Sequence, residues 1–123
     1  MRLWNVPTNY LCDKHLLKEH SDLHKLINAI ANNVSIKNHI KKGFVEVHNI
    51  PSRHIALVRE LLTRGFGHTS LIEDVDVKLL KNCRRGKIDK SLSIKELCYW
   101  CKHCNQRIVE SMREPVRSAN GSI

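Results

Sequence analysis

Asp13-Lys14-His15-Leu16-Leu17-Lys18-Glu19-His20-Ser21-Asp22-Leu23-His24 is the stretch on which the reading of this chain turns. Leu16 and Leu23, continued by Leu26, Ile27 and Ile30, recur at helical spacing and form one apolar face. His15, Glu19 and Asp22 fall at i, i+4 and i+7 and share another face. A helix that needed only solubility would more often carry Lys–Glu pairs there. Two carboxylates and a histidine on one stripe point instead to chemistry on an anionic substrate.

The rest of the chain fits a small helical domain. Residues 1–12 read as extended, and Pro7 opposes an early helix. Asp13 is a suitable N-cap for a first helix running to about Asn32. Residues 33–50 read as a connection with a Gly43 turn, in which Phe44, Val45 and Val47 are a short extended piece or loop anchors. A second helix begins near Pro51-Ser52, carries the stripe Ile55, Val58, Leu61 and Leu62, and ends at Gly65. Residues 66–92 are less regular, with a helical turn around Val77, Leu79 and Leu80 and a basic bend at Arg84-Arg85-Gly86-Lys87. Ser93 with Glu96 reads as a capping box for a third helix reaching about Met112. The expected architecture is all-α: one compact domain over 1–114 with three main helices and long connections, then a flexible tail at 115–123.

The 21 Lys and Arg residues against 12 Asp and Glu give a net charge of +9, which favours a polyanionic partner, nucleic acid before an anionic membrane surface. No apolar run approaches the roughly 20 residues that span a bilayer. The N-terminus lacks the apolar core of a secretory signal. Five cysteines without disulfide-scaffold spacing suggest a reducing interior, the cytoplasm of a bacterial host or the nucleus of a eukaryotic one.

Two segments resemble the pyrimidine-dimer DNA glycosylases, the ultraviolet-specific endonuclease V family of phages and algal viruses. One is Asp13-x-His15-Leu16-x-x-Glu19-x-x-Asp22-Leu23, and the other is Arg53-x-Ile55-x-Leu57-x-x-Glu60-x-Leu62-x-Arg64-Gly65-Phe66. Together they cover roughly the first two-thirds of the chain; the last third matches poorly. Aligning Asp13 and His15 with the family pattern places Met1 on the family's mature N-terminal residue and Arg2 on the arginine that follows it. Arg2 is bulky, so removal of Met1 is not expected.

The resemblance implies an endonuclease V-like fold and a DNA-repair glycosylase with abasic-site lyase activity. Its nucleophile is then the Met1 α-amine and its principal acid Asp22, with Glu19 and His15 beside them. An α-amine ordinarily titrates near pH 7.7–8, so a neutral, imine-forming fraction exists at neutral pH. Asp22 would stabilise positive charge on the sugar or shuttle a proton. The family acid is usually Glu, so Asp22 is one methylene shorter, and Glu19 is the alternative. Expected DNA contacts are Arg2, Lys25, Arg53 and Arg64, extended by Lys41, Lys42, Arg84 and Arg85. The partner is double-stranded DNA, damaged or modified, bound by a monomer. The family's C-terminal aromatic segment has no counterpart beyond Tyr99 and Trp100, which fall inside the third helix.

Two further features invite a metal. Cys98-x-x-Cys101-x-x-Cys104 resembles a zinc knuckle, and Cys12 or Cys83 would have to complete it. On an unbroken helix, however, Ile94, Leu97, Cys98, Cys101, Cys104, Ile108 and Met112 make one apolar stripe, so core packing is the expected role and no cofactor is expected. His20 and His24 are four apart, a metal-compatible spacing, but no cysteine or further acid is near in sequence, and no metal is assigned there. Two other functions fit the same residues: a non-catalytic basic DNA-binding protein on this scaffold, or a zinc-stabilised helical interaction protein.

Overall fold

A computed structural model describes residues 1–66, 80 and 83–121, with side chains as far as 113. The described residues form an all-helical domain. Its helices are α1 (Asp13–Ala31), the short α2 (Lys37–Lys41), α3 (Ile50–Thr63), α4 (Lys90–Trp100) and α5 (Lys102–Gly121). Single 3-10 turns sit at Thr8–Tyr10 and Val47–Asn49.

α1 follows the sequence closely; α3 forms where expected but turns another face inward, with Ile55 and Leu62 of the expected stripe each 53% exposed and Leu61 alone of it buried. Leu16, Leu23, Leu26 and Ile27 of α1 are buried, and α1 packs on α3, whose Ile50, Leu57 and Leu61 complete the layer. Asp13 is the first helical residue rather than the cap, which is Cys12. Both helices end in Schellman turns. At the end of α3, Phe66 N–H donates to the Leu61 carbonyl at 2.9 Å and Gly65 N–H to Leu62 at 3.0 Å, with Gly65 at φ +87°. At the end of α1, Val34 N–H reaches Ala29 at 2.8 Å, and Asn33 takes the left-handed position at φ 56°.

Residues 1–12 are extended apart from the 3-10 turn, and Leu3, Val6 and Leu11 are buried. Leu3 N–H donates to the Phe44 carbonyl at 2.8 Å, so the first residues lie across the 33–50 connection. Val45 and Val47 are buried as loop anchors. Val47 N–H bonds the Arg85 carbonyl at 2.9 Å, and a Cβ at Gly86 would stand 2.1 Å from the Val45 carbonyl oxygen. That approach, with Gly86 at φ +85°, requires glycine at the basic bend. Of the turn expected around Val77, Leu79 and Leu80, only the buried Leu80 lies among the described residues.

The third expected helix is two helices. α4 ends at Trp100, Cys101 adopts an extended conformation (φ −129°, ψ 109°), and α5 begins at Lys102. The N-cap of α4 is Asp89, whose side chain accepts from Leu92 N–H at 3.1 Å; Ser93 is buried inside the helix and caps nothing. α5 packs against the Thr8–Tyr10 turn, and its backbone stays helical through Pro115 to Gly121. The break leaves Tyr99 and Trp100 at the end of α4, 80% and 78% exposed.

Candidate functional site

The N-terminal segment and α1 enclose a cleft of about 330 Å³, whose walls include Met1, Arg2, Trp4, His15, Lys18, Asp22 and Phe44. Asp22 is buried and its carboxylate is held from two sides. Oδ2 accepts the Arg2 backbone N–H at 3.3 Å, and Lys18 Nζ approaches Oδ1 at 3.0 Å. Covalent geometry then keeps the Met1 nitrogen within about 7 Å of that oxygen. The Arg2 guanidinium stacks 3.8 Å from the Trp4 ring centre and 4.5 Å from that of Phe44, and bonds Glu96 of α4 at 2.6 Å. It therefore builds the cleft wall. Trp4 carries no sequence signal for this place, because nothing in its neighbourhood fixes how the extended segment folds back.

Glu19 and Arg53 lie together inside the protein. Glu19 is fully buried and receives Arg53 Nε at 2.5 Å and Nη2 at 2.9 Å, while Arg53 Nη1 donates to the Val6 carbonyl at 2.5 Å. This buried fork joins α1, α3 and the extended segment. Arg64 is similarly occupied. It donates to Glu60 at 3.0 Å, to Asp13 at 2.9 Å, and to the Thr8 and Leu11 carbonyls at 3.2 and 2.6 Å. Lys25, Lys41, Lys42, Arg84 and Arg85 are exposed.

The expectation that the cysteines only pack the core, with no cofactor, is overturned. Cys12, His15, Cys101 and Cys104 bring four ligand atoms within 4.8 Å of one another. Tetrahedral zinc, with Zn–S of about 2.3 Å and Zn–N of about 2.0–2.1 Å, spaces two sulfurs about 3.8 Å apart and a sulfur and nitrogen about 3.5 Å apart. Here Cys12 Sγ lies 3.8 Å from Cys101 Sγ, and His15 Nδ1 lies 3.5 Å from Cys104 Sγ and 3.2 Å from Cys12 Sγ. All the cysteines are free, and the 3.8 Å separation is far beyond a disulfide bond.

The backbone prepares the sulfurs. Cys12 N–H points at Cys104 Sγ at 3.3 Å, and Cys104 N–H at Cys101 Sγ at 3.4 Å. Burial pushes the Cys101 thiol up, but hydrogen bonds from Cys104, Cys12 and His103 more than offset it and leave the thiol below its ordinary value. Burial drives Cys104 up to about 12 despite the Cys12 amide, so this thiol loses its proton when a cation replaces it. Burial, then the Lys14 charge, lowers His15, favouring the neutral ligand form. Three cysteines and one histidine fit zinc and fill a tetrahedron, which marks a structural site. Cys98 is not in the set; half-buried, it packs against the core. The break at Cys101 explains the difference: it turns the Cys101-x-x-Cys104 pair into a knuckle at a helix start. The sequence carried the knuckle spacing, but His15 as the fourth ligand appears only in the fold.

Among the described residues, no helix is long and apolar enough to cross a membrane. No curated protein and no solved structure matches the chain at a significant level. The family described as pyrimidine dimer DNA glycosylase matches residues 1–74, which contain the Met1–Asp22 cleft, the Glu19–Arg53 fork and two of the four metal-site residues. The chain belongs to the pyrimidine dimer DNA glycosylase family.

Proposed function

We propose that the protein is a DNA-repair glycosylase with abasic-site lyase activity, acting on damaged or modified duplex DNA from the Met1–Asp22 cleft. The observation that carries this reading is the Arg2 N–H bond to Asp22 Oδ2 at 3.3 Å, which draws the start of the chain over the acid of α1. Membership of the glycosylase family adds to it.

In this reading the neutral Met1 amine attacks the sugar C1′. An N–C1′ bond forms, the glycosidic bond breaks, and its electron pair leaves with the damaged base. The nitrogen then loses one proton, and its lone pair expels O4′, which takes a proton as the C1′–O4′ bond breaks, so the sugar ring opens to a protonated imine. Removal of a C2′ proton then expels the 3′ phosphate, and water hydrolyses the imine to free the enzyme. Asp22 stabilises the positive charge at C1′ and carries protons between these steps. The short aspartate side chain suffices because the backbone of residue 2 comes to it.

Glu19 and Arg53 serve this site by holding α1, α3 and the extended segment in register, and Arg2 serves it as a wall. The exposed Lys25, Lys41, Lys42, Arg84 and Arg85 supply phosphate contacts, which position a duplex without reading its sequence. A helix-distorting lesion lowers the cost of kinking or extruding a base, so damage is selected through deformability. Cys12, His15, Cys101 and Cys104 would hold zinc, which would supply a structural cross-link between the start of α1 and the C-terminal helices. With Nδ1 turned to the sulfurs and a cation there, the His15 ring would keep its proton on Nε2 and offer a hydrogen-bond donor on the cleft wall.

Incubation with ultraviolet-irradiated, abasic and undamaged duplexes tests the proposal. Incision of the first two and not the third is expected. Salt-sensitive binding without incision of any duplex would contradict it.

A further inference from the structure

His20 and His24 on α1 and His54 on α3 bring their ring nitrogens together away from the cleft. His20 precedes Asp22 by two positions along the helix, a separation that sets the two on opposite faces. His24 Nε2 lies 3.3 Å from His20 Nε2 and 3.2 Å from His54 Nε2. All three ligand atoms fall within 4.8 Å of one another. The His24 ring meets each neighbour edge-on, at 72° to His20 and 80° to His54.

A tetrahedral cation with Zn–N of about 2.0–2.1 Å places its nitrogen ligands about 3.3–3.4 Å apart. The two printed separations sit at that edge length. The same Nε2 of His24 faces both neighbours, so one nitrogen serves two contacts, a poor use of imidazole hydrogen bonding but the natural arrangement around a shared ion.

We propose that His20, His24 and His54 form a second metal site, for a divalent transition cation of the kind that imidazole suits, zinc above all. Among the described residues the site has three protein ligands. The site pins α1 to α3 from the side opposite the cleft. It is chemically unlike the thiolate site, and nothing in it depends on the role of Asp22.

The test is zinc uptake by the full chain, measured by equilibrium dialysis and elemental analysis under reducing conditions. Two equivalents per chain are expected for the wild type. Both His24→Gln and His20→Gln should bind one, with helical circular dichroism unchanged, whereas Cys101→Ser/Cys104→Ser should keep the histidine-bound equivalent. Histidine variants that both take up as many equivalents as the wild type would overturn the proposal, as would a folded Cys101→Ser/Cys104→Ser variant that binds none. Should one histidine variant unfold, the other decides the outcome by the same count.

Discussion

Asp22 accepts the backbone N–H of Arg2 at 3.3 Å, so the acid of α1 is bonded to the peptide unit directly after the first residue. The contact is made by the backbone N–H, so any residue but proline at position 2 can supply it.

Asp22→Asn keeps the size of the side chain and an acceptor for Arg2 N–H but removes the charge. Incision of abasic duplex should fall by about 10²–10⁴-fold, the usual range for a lost acid–base group. Duplex affinity should be unchanged or slightly higher, because a negative charge is removed. Single-turnover incision and binding assays measure the two separately.

Loss of the thiolate site should loosen the C-terminal helices. Cys104→Ala removes a buried ligand on α5, so zinc content should drop by one equivalent and the melting temperature should fall by several degrees, on the scale set for a loss of about 1–3 kcal/mol. A strong chelator should produce the same shift in the wild type, and zinc should restore it there but not in the variant. Differential scanning calorimetry with metal analysis reads both.

Acid should weaken the same site. Burial holds the His15 pKa below 6.5 in the folded chain, so the folded state takes up its proton less readily than the unfolded one. The stability tied to neutral His15 is therefore present above about pH 6.5 and is lost as pH falls through the lower, folded-state value. Urea unfolding of metal-free protein at pH 7.5 and 5.5 should show a larger loss for wild type than for His15→Gln. With zinc present the loss should grow, because protons compete with the cation for its ligands.

The Glu19–Arg53 fork should behave as a buried ion pair. Glu19→Gln leaves the Arg53 charge without its partner and should cost about 3–5 kcal/mol. Glu19→Leu with Arg53→Met removes both charges and should be less destabilising than the single change. Chemical denaturation of the three proteins gives the comparison.

α1 and α3 were legible in the sequence because local rules agree there. Apolar spacing marks Leu16, Leu23 and Leu61, proline opens α3, and Asn33 and Gly65 provide the left-handed stops, but the inward face of α3 was misplaced, because Arg53 and His54 turn inward with Leu57 while Ile55 and Leu62 face out. The break at Cys101 was not legible. Leu97, Cys104 and Ile108 are all buried and continue a helical stripe across it, and neither glycine nor proline interrupts the run. The metal site was half visible, since the cysteine spacing is local. Cys12 and His15 join it from the far end of the chain through packing of the Thr8–Tyr10 turn on α5. Glu19 and Arg53 likewise lie 34 residues apart, so their charges read as surface chemistry until the fold brings them inside.

The most direct measurement is borohydride reduction during reaction with abasic duplex, followed by digestion and mass spectrometry of the trapped protein–DNA adduct. The modified peptide should begin at Met1 with the sugar remnant on its α-nitrogen, and acetylation of that nitrogen should abolish trapping. An adduct on a lysine, or one that forms equally well on the acetylated chain, would contradict the assignment of Met1 as the nucleophile.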